Sequence, residues 1–237
     1  MTEQRTIVVE GDARIENRGF PLLPYMDRIL EPEILDSLSP DDPAARRSRR
    51  DLRIINRVLG NERWFRRILR CHLRPGERVL ELGSGMGEMG MALWGTGLAV
   101  DGLDLCPRPA DWPRQADWHR ADIRGFARYS EYSAVIANLI LHHLTVGELA
   151  DLGRHVGGAR LIVASEPARR RLSQSMFAAI GPLLGACSVT LHDARVSIAA
   201  GFLEEELPRA LGLTADRWTW KCEVSRLGAY RMVALRR

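Results

Sequence analysis

The sequence has almost no lysine. Lys221 stands alone among 34 basic residues in a chain of 237, and all the others are arginine. A bias of that kind reads as a genome-composition effect. With a net charge of only +4 and acids interspersed along the chain, nucleic acid is not the expected partner, despite a pI near 9.2. Cysteine is scarce too. Cys71, Cys106, Cys187 and Cys222 are scattered with no C-x-x-C pair, which argues against a disulfide framework or a zinc site and leaves free thiols as the expectation. No other metal-ligand spacing is evident, so no metal is expected. No apolar run approaches the roughly 20 residues of a membrane span. The opening Met-Thr-Glu-Gln-Arg lacks the basic-then-apolar layout of a secretory signal, so a cytoplasmic protein is expected. Internal repeats and low-complexity segments are absent as well.

What is present is an ordinary globular balance, 46% apolar and 27% charged, in a chain long enough to bury a substantial core. Pro21, Pro24, Pro32, Pro40 and Pro43 forbid a long helix over residues 1–43. Asp41-Asp42-Pro43 has the chemistry of a helix start. Leu52, Ile55 and Leu59 then recur at helical spacing, with the arginines from Arg46 to Arg57 on the other, solvated face. After the Gly60-Asn61 break, Glu62–His72 forms a second helix with Trp64, Phe65, Ile68 and Leu69 inward.

From Arg78 onward, strands alternate with helical patterns. Arg78–Leu82, Leu98–Leu105, Asp117–Arg120, Ala134–Leu139 and Arg160–Ser165 read as strands. Glu88–Trp94 and Thr145–Val156 read as helices. Helical spacing returns over 168–187 and Phe202–Leu211, and Trp218–Val224 and Ala229–Leu235 read as two late strands. The predicted class is α/β: a Rossmann-like, doubly wound, mostly parallel seven-stranded sheet with a C-terminal antiparallel pair and an N-terminal helical cap. The expected division is 1–73 for the N-terminal segment and cap, and 74–237 for the main domain, with an insertion around 168–200.

The most informative stretch is Val79-Leu80-Glu81-Leu82-Gly83-Ser84-Gly85-Met86-Gly87. A buried strand ends in an acid and breaks into three glycines at alternate positions. This is neither the G-x-G-x-x-G of dinucleotide folds nor the lysine-bearing phosphate loop. It resembles the first motif of class I S-adenosylmethionine-dependent methyltransferases. The resemblance implies S-adenosyl-L-methionine as cofactor. Glu81 would meet its ammonium end, and Gly83, Ser84, Gly85 and Gly87 would pass beneath its methionine and ribose portions. Asp104, with Leu105 beside it, would take the ribose diol; Asp122, with Ile123, the adenine amine; Asn138 would face the sulfonium. Asp104, Asp122 and Asn138 all follow predicted strands, so they should gather at one sheet edge, where open α/β sheets bind ligands.

The fourth-strand segment, Asn138-Leu-Ile-Leu-His142-His143-Leu144, lacks the Asn/Asp-Pro-Pro-aromatic motif of amino-methylating enzymes, and Cys106-Pro107 reverses the Pro-Cys order of cytosine-C5 chemistry. It resembles small-molecule methyltransferases of the ubiquinone-biosynthesis type. The stretch Asp41-Asp-Pro…Arg-x-Asp51-Leu-x-x-x-Asn56-x-x-x-Gly-Asn61-x-x-Trp64 and the later His192-Asp193-x-x-x-Ser197 resemble a polyketide-associated bacterial set, departing from it at Glu166 and Ala194. The implied reaction is O-methylation of a small hydrophobic phenol, quinone or polyketide-type acceptor. A phenol also needs a base, for which histidine is suited. His143 is favoured, with His142 and His192 the other candidates. His142 and His143, about 100° apart if helical, should not both face the acceptor. Trp64, Phe65 and the Leu172–Leu184 segment are the expected lid and apolar wall. RNA or protein methylation, or a non-catalytic cofactor-binding role, are the alternatives.

Overall fold

Short β-branched and leucine-rich runs make the centre of the molecule. The structure, a computed structural model, describes residues 26–39 and 41–237. The expectations resting on Pro21, Pro24, Pro40 and the first 25 residues of the N-terminal segment lie outside the described residues. Seven strands form one sheet: Val79–Leu82 (β1), Val100–Asp104 (β2), Trp118–Arg120 (β3), Ala134–Asn138 (β4), Leu161–Pro167 (β5), Trp218–Val224 (β6) and Ala229–Arg236 (β7). Their order is β3-β2-β1-β4-β5-β7-β6, with β1 to β5 parallel and β7 inserted antiparallel between β5 and β6. This is the α/β architecture expected from the sequence, closing antiparallel pair included. Around it lie Ile34–Ser37 (α1), Pro43–Leu59 (α2), Asn61–His72 (α3), Glu88–Trp94 (α4), Val146–Val156 (α5), Arg171–Ile180 (α6), Ser188–Ala200 (α7) and Glu206–Ala210 (α8). No helix among the described residues is long and apolar enough to cross a membrane.

Because side chains alternate along a strand, each central strand feeds two cores. Leu80, Leu82, Val135, Ala137, Ile162 and Ala164 pack on one face, against α5 and α8. Val79, Ile136, Leu161 and Val163 pack on the other, against Trp64, Phe65 and Leu69 of α3 and Leu93 of α4. Trp64 and Phe65 are therefore buried core residues under the sheet, and the expectation that they form a lid is corrected. Their burial follows from α3 lying flat on β1, β4 and β5, where two large aromatics contribute about 1.5–3 kcal/mol each.

The helix start at Asp42 is as expected: its carboxylate accepts from the Ala44 amide at 2.7 Å, a cap that contributes about 1 kcal/mol. Leu52, Ile55 and Leu59 of α2 are only half-buried, because they face a cavity rather than the core. Two helical readings change. Residues 168–187 are not one helix but α6 and a short 3-10 turn at Pro182–Leu184. Phe202–Leu211 shrinks to α8, since Phe202 is extended and bridges Ala168. The sequence reading also missed α7. Its buried residues, Val189, Thr190, Asp193, Val196, Ile198 and Ala200, point several ways because it packs against α1, α2 and α6 together, so no single apolar stripe marks it.

Candidate active site

The sheet order reverses between β1 and β4, and the crevice beyond their carboxyl ends is where ligands of such sheets bind. A cavity of about 610 Å³ opens there. Its floor is Glu81, Gly83–Met86 and Asn138. α2 and α6 wall it with Leu52, Ile55, Met176 and Phe177, and its far end holds His142 and His143.

At the β1 end the chain must turn at once. Gly83 (φ +62°) and Gly85 (φ +55°) adopt left-handed conformations that side chains disfavour. A Cβ on Gly83 would lie 2.5 Å from Ile140, whereas one on Gly85 would meet only open space in the cavity. The Ser84 hydroxyl ties the loop back, donating to the Glu81 carbonyl at 3.0 Å and accepting from the Leu103 amide at 3.2 Å. Glu81 is 2% exposed, and its Oε2 has no hydrogen-bond partner. Burial pushes its carboxyl up to about 8, only partly offset by the Gly90 amide and Ser84. A buried acid with an orphaned oxygen beside an open cradle fits a ligand bearing a cationic amine.

The other expected cofactor residues are placed unequally. Asp104 ends β2 and braces the loop, Oδ2 accepting from the Gly85 amide and Oδ1 from the Cys106 amide, both at 2.7 Å. Each oxygen keeps a lone pair for a hydroxyl. Asn138 lines the cavity but is already engaged: its amide bonds Asn56 Oδ1 (3.1 Å) and accepts from Asn61 (3.0 Å), while Asn61 accepts from Ser165 (3.1 Å). Asn56 and Asn61, quoted above only as part of a pattern, thus lock the α2–α3 corner onto β4 and β5. Asp122 is drawn away from the cavity lining into a bidentate pair with Arg124. Leu105 is largely exposed, and Ile123 is in the core, its carbonyl accepting from the Tyr129 hydroxyl.

The β4 end is organised by Glu166, which is fully buried in β5. Its Oε1 accepts from the amides of Ile140 (3.2 Å) and Leu141 (3.0 Å), and its Oε2 lies 2.7 Å from His142 Nδ1. That grip supports Leu139 in a left-handed conformation (φ +57°), which costs a leucine about 1–2 kcal/mol. The turn Leu141–His143 is 3-10, and the two imidazoles approach to 4.2 Å between centroids. Both line the cavity, so the expectation that they diverge is corrected: the 3-10 turn starts the two side chains about 120° apart, and the rings fold back to meet beside Glu33.

Glu33, missed in the sequence, completes the cluster from the segment before α1. Its Oε1 is 3.4 Å from His142 Nε2 and 3.8 Å from His143 Nε2, and it also accepts from the Ser197 hydroxyl. Burial opposes charge on His142, but Glu166 and Glu33 outweigh it and raise its pKa to about 9. Burial and the adjacent His142 charge lower His143, with Glu33 and Asp36 opposing. His192 does not line the cavity. It is half-exposed on α7 with Nδ1 3.1 Å from Asp193, and Asp193 in turn caps α1 through the Ile34 (2.8 Å) and Leu35 (3.0 Å) amides. Arg28 fastens the same segment, donating to the His142 (3.0 Å) and Leu144 (2.8 Å) carbonyls. Only tertiary contacts identify Glu33, Glu166 and Arg28; the departure at Glu166 was the one signal in the sequence.

No family model and no curated protein matches the chain at the level of sequence. Solved structures do match by shape. A plantazolicin methyltransferase, BamL, in complex with a triazolic desmethylPZN analog and SAH, superposes with a TM-score of 0.66 at 11% identity, over 85% of this chain and 92% of that one. The fold is the methyltransferase fold. The plantazolicin methyltransferase BpumL in complex with SAH gives a TM-score of 0.64 at 12% identity, covering 83% of this chain and 91% of that chain. The magnesium protoporphyrin IX methyltransferase from Synechocystis PCC 6803, with bound SAH, gives 0.50 at 18% identity over 86% and 91%.

Proposed function

We propose that the chain is an S-adenosylmethionine-dependent methyltransferase that O-methylates a small hydrophobic acceptor of phenolic, quinone or polyketide type, akin to the ubiquinone-biosynthesis group. The observation that carries this reading is the orphaned, buried Glu81 oxygen beside the open Gly85 cradle, in the same cavity as the histidine cluster. The three solved methyltransferases named above, each with SAH bound, support it through the shared fold.

When bound, S-adenosylmethionine supplies a methyl group on a positively charged sulfonium. Glu81 would hold the ammonium end, the Gly83–Gly87 loop the chain between, and Asp104 the ribose hydroxyls through its remaining lone pairs. Asp122 reaches an adenine amine only by leaving Arg124. Asn138, fixed by Asn56 and Asn61, sets the β4 edge of the cradle. The acceptor occupies the apolar part between α2 and α6. Walls of leucine, isoleucine, methionine and phenylalanine suit an aromatic ring and exclude water. Its reacting hydroxyl is received at the polar end beside His142 and Glu33, and its proton would pass to His143, whose neutral form is favoured by burial and by the adjacent His142 charge. Holding that oxygen in line with the methyl carbon supplies most of the acceleration.

The test is transfer of labelled methyl from S-adenosylmethionine to a panel of phenols, quinols and bulk RNA. Methylation of a phenol or quinol is the expected result. Label on RNA alone would shift the reading to a macromolecular acceptor, and cofactor binding without any product would leave a non-catalytic role.

A further inference from the structure

Both histidines turn Nε2 toward Glu33. His142 turns Nε2 to Glu33 Oε1 at 3.4 Å and Nδ1 to Glu166 at 2.7 Å. His143 turns Nε2 to the same Glu33 oxygen at 3.8 Å and Nδ1 to Asp36 at 3.8 Å. One potential ligand atom from each of Glu33, His142 and His143 falls within 4.8 Å of the others. Glu166 thus backs His142 through a hydrogen bond, Asp36 faces the far nitrogen of His143 from just beyond hydrogen-bond distance, and Glu33 lies in front of both. We propose that Glu33, His142 and His143 bind a divalent transition-metal ion, with Glu166 and Asp36 orienting the rings, and that this ion receives an acceptor bearing two adjacent oxygens, as in a catechol or an enolised diketone.

Four features argue for it. Metal–nitrogen and metal–oxygen bonds of about 2.0–2.2 Å at tetrahedral angles separate ligand atoms by roughly 3.3–3.5 Å. The 3.4 Å pair meets this, and the 3.8 Å pair needs a shift of a few tenths of an ångström. A carboxylate on the far ring nitrogen is the usual support of a metal-binding histidine, since it fixes the tautomer and raises the ring's donor strength. Three carboxylates, Glu33, Glu166 and Asp36, surround two imidazoles, and the guanidinium of Arg28 is directed to the His142 and Leu144 carbonyls. Finally, three protein ligands leave coordination positions open, and both rings and Glu33 border the 610 Å³ cavity from which an acceptor would enter.

The donor set is two imidazoles and one carboxylate, which suits zinc, iron, cobalt or nickel and disfavours magnesium. A hydroxyl bound to such an ion is more acidic, and with both imidazoles on the metal its proton would pass to solvent and not to His143. A neighbouring second oxygen closes a chelate and sets the ring's orientation, which one hydroxyl would leave free. The acceptor class rests on the methyl-transfer reading; the metal site does not.

The test uses the full chain, stripped with a chelator and titrated with Co²⁺ while visible absorption is followed, with S-adenosylhomocysteine binding measured alongside. The expected result is a ligand-field spectrum that saturates at stoichiometric cobalt, shifts with catechol but not with phenol, and is displaced by Zn²⁺ but not by equimolar Mg²⁺. Glu33→Gln and His143→Ala should each weaken cobalt binding at least ~10-fold, and Asp36→Asn, at an exposed position where folding is not at stake, by about 10-fold. S-adenosylhomocysteine affinity should be unchanged in all three. Absent cobalt binding, or equal binding in wild type and all variants, would overturn the site. Equal displacement by Mg²⁺ would overturn its nitrogen ligands, and a spectrum that ignores catechol would overturn the acceptor class. Cobalt binding in a chain that ignores S-adenosylhomocysteine would instead remove the methyl-transfer reading and leave the site standing.

Discussion

At the glycine-loop end of the cavity, the groups that matter come from one stretch, Glu81 to Asp104, and hold each other within a single β1–α4–β2 unit, as Gly85 does with Asp104. At the histidine end, Glu33, His142, His143, Glu166 and Ser197 come from four separate places in the chain and meet only when the sheet and the N-terminal strap, residues 28–37, are assembled. A single βαβ unit carries its chemistry with it, so the first end depends on few contacts from outside that unit. The second is a tertiary product, whose integrity rests on Glu166, Arg28 and Asp193 holding loop and strap together.

The comparison breaks most sharply at Asp104. Asp104→Ala removes two bracing bonds and the proposed ribose acceptor, and S-adenosylhomocysteine affinity should fall by about 100-fold, or roughly 3 kcal/mol, by calorimetry. Affinity equal to wild type would refute the ribose assignment.

Glu81 sharpens the comparison through pH. Its carboxyl sits near 8 in the folded chain against an ordinary value of 4.5, so the native state holds a proton that the unfolded state has released. The ligand-free protein should therefore lose stability as pH rises from about 4.5 to 8, by up to about 5 kcal/mol from this group. Affinity for the cationic amine should rise over the same window, because binding needs the carboxylate. Glu81→Gln should flatten both slopes and weaken cofactor binding by about 10-fold at pH 8. Denaturant melts and binding isotherms at several pH values check this, and unchanged slopes would remove Glu81 from the site.

Asp193→Ala probes the other end. Losing the cap on α1 costs the strap about 1 kcal/mol, so the acceptor KM should rise roughly five-fold with cofactor affinity untouched. An equal loss of cofactor affinity would mean that the two ends are not independent. The smallest effect is expected from His192→Ala. That ring is off the cavity and half-exposed, and turnover should stay within about two-fold of wild type.

Legibility followed the same division. The strands, the Asp42 cap and the glycine loop could be read because each rests on neighbours a few residues away. The parallel, doubly wound class followed from alternating strands and helices. The reading failed where burial came from several directions. Trp64 and Phe65 looked like a lid because helical spacing shows that a face is apolar but not what it faces. His192-Asp193 looked catalytic because a His-Asp pair carries no sign that its acid is spent on capping α1. Asp122 and Asn138 came to the expected edge, yet their side chains are taken by Arg124, Asn56 and Asn61, partners the chain order does not reveal.

By itself, then, the sequence determined the doubly wound sheet, the sharp turn after β1 and the acids beside it, since hydrophobic period, glycine freedom and strand ends are local properties of the chain. Tertiary structure alone decided which histidines meet, that Glu33 joins them and that Glu166 clamps the turn. The Glu33 contacts span more than a hundred residues between strap and loop, and only the packing of α1 and α7 over the sheet edge brings them within reach, while Glu166 reaches the turn from the neighbouring strand.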